Sequence, residues 1–169
     1  MHNSNDNNPL LWSILGLLFA AISIVAIYKS WPMLFPKADL LATVDPACDL
    51  RTGPCTTRLE NGASVTFSIL PREIPVVAPL ALQVNLEAIS ATAIEVDFSG
   101  VEMNMGFNRV KLSHQEEGIF GGKAMLPVCV WDAMEWEARV LIETKQGLIA
   151  VPYRFITVRP GTSLPAADS

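Results

Sequence analysis

Histidine, cysteine and charge are all scarce in this chain. Two histidines and three cysteines occur in 169 residues, and charged side chains make up 17%. Three cysteines are too few for a small domain held together mainly by disulfides. Twelve basic against 17 acidic residues leave a formal charge of −5, so no basic field draws in nucleic acid. With His114 the one histidine beyond the N-terminal residues, a Ser-His-Asp triad depends on it alone. The sequence has no G-x-S-x-G elbow, no H-E-x-x-H, no P-loop and no dinucleotide glycine fingerprint. Enzyme activity is not expected. Half the residues are hydrophobic and the mean hydropathy is +0.33, which excludes a disordered chain. The length suits one domain with an appendage.

The longest apolar run is residues 10–28, LLWSILGLLFAAISIVAIY, with no charge between Asp6 and Lys29. At 1.5 Å per residue it spans a hydrocarbon core of about 30 Å. Trp12 lies near one end and Tyr28 and Trp31 near the other, as interfacial aromatics do. A cleaved signal peptide needs a positive start and small residues at its end. Here no Lys or Arg precedes the run, which ends Ile27-Tyr28-Lys29, so an uncleaved transmembrane helix is expected. The lipid bilayer is then the first partner. Every Lys and Arg lies after the run, which taken alone places the domain in the cytoplasm. That rule is weak for long translocated domains, and the cysteine pair described below points the domain into an oxidising compartment.

Two prolines in SWPMLFPK, residues 30–37, disfavour continued helix. Beyond them, side chains alternate with a period of two. Residues 64–70, 80–87, 94–98 and 136–143 each place apolar side chains at every second position. Lys145-Gln146-Gly147 joins the last of these to residues 148–157 as a hairpin. Pro71, Pro75 and Pro79 mark a loop, and Gly118 and Gly121-Gly122 mark turns. Seven or eight short strands in this length predict an all-β fold, an immunoglobulin-like β-sandwich preceded by one N-terminal transmembrane helix. The expected divisions are a polar start (1–9), the membrane helix (10–28), a juxtamembrane linker (29–38), the β-sandwich (39–158) and a flexible tail (159–169).

Cys48 and Cys55, in DPACDLRTGPC, are separated by a Gly53-Pro54 turn and are expected to form a structural disulfide. Closing so short a loop stabilises by about 2.5 kcal/mol in the chain-entropy treatment. A redox pair ordinarily uses the tighter C-x-x-C spacing. Cys129 remains, in the strand-like run MLPVCVW, where a thiol most often serves as a small hydrophobe. In GVEMNMGFN (100–108) a strand places Met103 and Met105 on one face with Val101 and Phe107. The plain reading is a core stripe. The functional reading is a soft-metal site: Met103, Met105 and Cys129, with Met125 and Met134 as additions, supply the thioether and thiol sulfur that select Cu(I). His114 sits in a polar stretch read as a turn. Trp131 and Trp136 are expected to pack in or beside the core. The loop PREIPVVAP offers Ile74, Val76 and Val77 as an exposed patch for a partner.

One membrane helix, a small β-sandwich and the segment Met103-Asn104-Met105-Gly106 resemble the FixH/YtkA-like proteins of bacteria over residues 10–158. The resemblance implies a periplasmic domain anchored in the bacterial inner membrane. It also implies copper as cofactor, and a part in copper handling or haem–copper oxidase assembly, with a respiratory oxidase or its assembly factors as partners. The chain departs from that pattern in carrying Cys48, Cys55 and Cys129 and in lacking a histidine beside the methionines. The competing expectation is a module without metal that docks a partner membrane protein through a strand edge or an apolar loop.

Overall fold

A computed structural model describes residues 9–34 (side chains to residue 30), 39–103, 106–127 and 131–159. The chain divides into two compact units, Met1–Lys37 and Ala38–Ser169.

The first unit holds α1 (Pro9–Leu34). Its stretch Pro9–Ser30 is long and apolar enough to cross a membrane. Large apolar side chains from Leu10 to Ile27 are exposed around the whole helix, as lipid contact requires. The hydroxyls of Ser13 and Ser23 donate to the carbonyls of Pro9 and Phe19, so neither leaves a hydroxyl hydrogen unpaired on the apolar surface. The helix outlasts the expected 10–28 and runs through Pro32. Lying in the last turn, that proline forfeits only the bond to the Tyr28 carbonyl, which corrects the expectation of a non-helical segment from residue 30.

The second unit is all-β, as expected. Among the described residues, nine strands follow: β1 (Leu40–Leu41), β2 (Cys55–Arg58), β3 (Ser64–Leu70), β4 (Leu80–Glu87), β5 (Ala91–Gly100), β6 (Arg109–Glu116), β7 (Ile119–Ala124), β8 (Ala133–Thr144) and β9 (Gly147–Val158). In place of two separate sheets, they form one continuous order, β1-β9-β8-β5-β6-β7-β4-β3-β2. All pairs are antiparallel except β1 with β9. Strand β6 carries the sheet around the corner. Its first half pairs with β5 (Ile94↔Leu112, Asp97↔Arg109) and its second with β7 (Ser113↔Gly121), with an irregularity between His114 and Glu116.

The curl brings two faces together over one core. Val65, Phe67 and Ile69 of β3 and Leu80, Leu82, Val84 and Leu86 of β4 come from one side. Ile94, Val96 and Phe98 of β5, Trp136, Ala138, Val140 and Ile142 of β8, and Val151, Tyr153 and Phe155 of β9 come from the other. Alternation with a period of two is the cause: one register step would turn each apolar set outward. Phe67 and Tyr153 stack at 5.3 Å between centroids, and Phe98 meets Phe155 edge-on at 6.4 Å.

Two expectations change here, and one holds. The LSHQEEG stretch belongs largely to β6, with its turn only at Glu117-Gly118. Gly121 and Gly122 lie within β7, where β6 crosses close overhead. A Cβ on Gly122 would meet Leu112 Cδ2 at 2.5 Å, so the glycines serve close approach. Gly118 is a true turn residue, with φ at +74° and the Leu86 carbonyl oxygen 2.7 Å from its would-be Cβ.

Candidate functional site

Strand register gathers four loops at one end of the β-unit. Leu80 lies opposite Ala124, Gly100 opposite Trp136 and Ala133 opposite Val158. Loops 71–79, 101–108 and 125–132 therefore leave the sheet at the same end. A backbone bond joins two of them, Val77 N–H donating to the Leu126 carbonyl at 2.8 Å, and Val101 N–H ties the third to β8 at the Glu135 carbonyl, 3.0 Å away. The Asn108 side-chain amide donates to the Met125 carbonyl at 3.1 Å. The fourth loop, 42–54, is tied in by Arg72, which donates to the Thr52 carbonyl at 2.6 Å.

This end is apolar outside as well as inside. Phe107 is 74% exposed, Val77, Val101 and Met125 are exposed beside it in sequence or across these bonds, and Trp131 is exposed near the end of the 125–132 loop. Residues 101–103 and 106–108 are not in the expected strand. Strand β5 ends at Gly100, and Gly106 takes φ +79° before β6 begins. Val101 and Phe107, read as core, consequently face solvent, and so does Trp131. The Phe107 ring is held by the Arg109 guanidinium, 5.0 Å from its centroid. That cation is itself fixed by Asp97 at 3.2 Å and Glu95 at 3.7 Å.

The expected partner patch splits. Ile74 is 1% exposed and packs in the core, which corrects its reading as a surface residue. Val76 is half-buried against the core, and Val77 is 59% exposed. Both Ile74 (φ 46°) and Val77 (φ 55°) occupy the left-handed region, where branching at Cβ is penalised. With prolines at 71, 75 and 79, the chain reverses tightly enough to turn Ile74 inward, a geometry that alternation alone does not announce.

The expected metal ligands lie in different surroundings where they are described. Met134 is 2% exposed, sealed on the inner face of β8. Met103 is half-buried against the core edge, and Met125 is 51% exposed at the same end. Met105 and Cys129 lie outside the described residues. Among the described residues, no group of three or more His, Cys, Asp or Glu side chains comes together as a metal site. His114 is exposed on β6 with its ring edge-on to Phe120 at 5.1 Å.

Cys48 and Cys55 form the expected disulfide. Cys55 is buried at the start of β2, and Leu50, inside the bridged loop, is a fully buried plug in the core. Asp49 turns the loop by accepting from the Arg51 backbone N–H at 2.9 Å. It also pairs with the Arg51 guanidinium at 2.7 Å. That guanidinium holds the Asp49 carboxyl below its usual range, against the smaller opposing effect of burial, and Arg51 is raised in return.

Sequence reasoning missed a cleft beside this loop. Val44, Asp45, Pro46, Cys48, Asp49 and Arg51 form one wall; Glu135, Arg154, Phe155 and Ile156 form the other, around about 520 Å³. The signal for it was the long strandless stretch between β1 and β2 with a disulfide at its far end. The chain matches no protein-family profile, and no curated protein matches it significantly.

Proposed function

We propose that this chain is a membrane-anchored adaptor. Its β-unit sits on the periplasmic side of a bacterial inner membrane and docks a partner membrane protein through the apolar loop end, in the manner of a respiratory oxidase subunit or assembly factor. The observation that carries this reading is the gathering of exposed Val77, Val101, Phe107, Met125 and Trp131 on loops that are bonded to one another. Water-exposed apolar clusters on a stable domain are the usual mark of a contact surface. The Cys48–Cys55 bridge supports an oxidising compartment. C-terminal reporter fusions test the side: active phosphatase supports the periplasm, and an active cytoplasmic reporter reverses it. Capture from solubilised membranes with the full chain tests the docking. A Phe107→Ser, Trp131→Ser variant should lose the partner while keeping its thermal transition; undiminished capture refutes the loop end.

A second reading is favoured by one observation: the loop containing Met103 and the segment beginning at Met125 are joined through Asn108. In it, Met103 and Met125, with Met105 and Cys129, hold Cu(I), whose preference for thioether and thiol sulfur matches that donor set. Titration of the full chain with Cu(I) against a competing chelator tests it. A Met103→Leu, Met105→Leu variant should bind about tenfold more weakly; unchanged affinity removes both residues from the site.

A further inference from the structure

The outer edge of β9 is covered for only three residues. In the β8–β9 hairpin, Thr144 faces Gly147 across a two-residue turn, so odd-numbered residues of β9 direct their backbone groups toward β8. Even-numbered residues direct theirs to the open side. There Asp39 N–H donates to the Leu148 carbonyl at 2.8 Å and Ala42 N–H to the Ala150 carbonyl at 2.9 Å. Pairing stops at that point because the next outward position is Pro152, which has no N–H to offer. Beyond it, the backbone groups of Arg154 and Ile156 face outward with no backbone partner among the described residues.

A bare edge is normally blunted by charge, a bulge or a covering loop. Here the chain swings away from β9 after Ala42 and returns as the far wall of the 520 Å³ cleft. That wall is fixed by the Cys48–Cys55 bridge, by the buried Leu50 and by the Asp49–Arg51 pair. The groove is therefore preformed, and its volume lies within the roughly 300–1,000 Å³ of ordinary binding clefts.

We infer that this groove receives an extended peptide segment of a partner protein, added to the sheet beside β9 and carrying a basic side chain. Unpaired N–H and C=O groups repeating at strand spacing are matched by another backbone. Side chains of the added segment on one face meet Phe155, Val44 and Cys48, which favours apolar residues at alternate positions. The remaining positions meet charge. Asp45, Asp49 and Glu135 stand against Arg51 and Arg154. Asp49 is taken by Arg51 at 2.7 Å and Glu135 by Arg154 at 3.6 Å. The Asp45 carboxylate is left with no cationic partner among the described residues and accepts only from the Ala47 N–H at 2.9 Å. A lysine or arginine completes that balance.

The probe is a capped heptapeptide alternating valine with lysine and serine, added to the full chain in detergent micelles. At saturation, amide exchange at Arg154 and Ile156 should slow about tenfold or more. Ile156→Pro, which removes one outward N–H and leaves the β8 ladder intact, should weaken binding about tenfold, and so should N-methylation of the peptide on its bonding edge. Asp45→Lys should shift preference from the lysine probe to its glutamate counterpart. No change in exchange at about 1 mM probe, or full binding by the N-methylated peptide, overturns the inference. So does protection of the two amides that grows with protein concentration alone, since a second copy then fills the edge. If Ile156→Pro does not fold, the N-methylated peptide still decides. The Phe107→Ser, Trp131→Ser variant should bind the probe normally, which separates this groove from the loop end.

Discussion

The Tyr153 hydroxyl of β9 donates to the Val65 carbonyl of β3 at 2.8 Å, joining the two faces of the curled sheet through the core. The phenol is almost wholly buried. Burial pushes its pKa from 10.0 up to about 12, opposed by a hydrogen bond with Thr57. The folded state thus holds this proton more tightly than the unfolded chain. Stability from the group is fully present below pH 10 and is lost as pH rises toward 12, by roughly 2 to 3 kcal/mol in total. Tyr153→Phe should cost about 1 kcal/mol at pH 7 and should remove that alkaline fall, both read from urea unfolding at several pH values.

Trp136 supplies a second test of buried pairing. Its indole N–H donates to the Thr157 hydroxyl at 2.9 Å inside the core. Thr157→Val keeps the shape and strands the N–H, so a loss of about 1 to 3 kcal/mol is expected from chemical denaturation.

The Pro-rich loop holds two branched residues at positive φ with opposite consequences. At Val77 the side chain is exposed, so Val77→Asn relieves the backbone at little packing cost and should raise stability by about 1 kcal/mol. At Ile74 burial outweighs the strain, and Ile74→Ala should cost about 2 to 4 kcal/mol. Calorimetric unfolding of the two variants should therefore move in opposite directions.

Removing the disulfide with Cys48→Ser, Cys55→Ser should cost roughly 2 to 3 kcal/mol. Amides of residues 44–54 should lose more protection than those of β8, because Leu50 is held in the core by that closed loop.

The long apolar helix and the long strands were legible because their signals are local. Uninterrupted apolarity marked 10–28, and alternation marked β3 at its exact bounds, β4, and the β8–β9 hairpin. Strands β6 and β7 were not. Leu112 is the one fully buried side chain of β6, and β7 carries Gly121-Gly122 where β6 crosses it. Neither shows a two-residue alternation, because their role is to turn the sheet and pack closely. The Met103 segment was misread for a related reason. Val101, Met103 and Phe107 keep strand spacing in the sequence, but β5 already ends at Gly100, and only the fold shows Phe107 on the outside. The disulfide was read from spacing; the cleft it supports depends on where β1 stops, which Pro152 on a distant strand decides.

Because β1 is two residues long and joined to β9 by few bonds, it is a mechanical fuse between the tether and the domain. Pulling on the N-terminal side would shear off residues 39–42 first and then load the 48–55 crosslink, which keeps residues 49–54 out of the pulled length and passes the force to β2. Loss of that short strand would lengthen the leash and free the Leu148 and Ala150 carbonyls of β9, so traction on α1 would extend the open edge that already begins at Arg154.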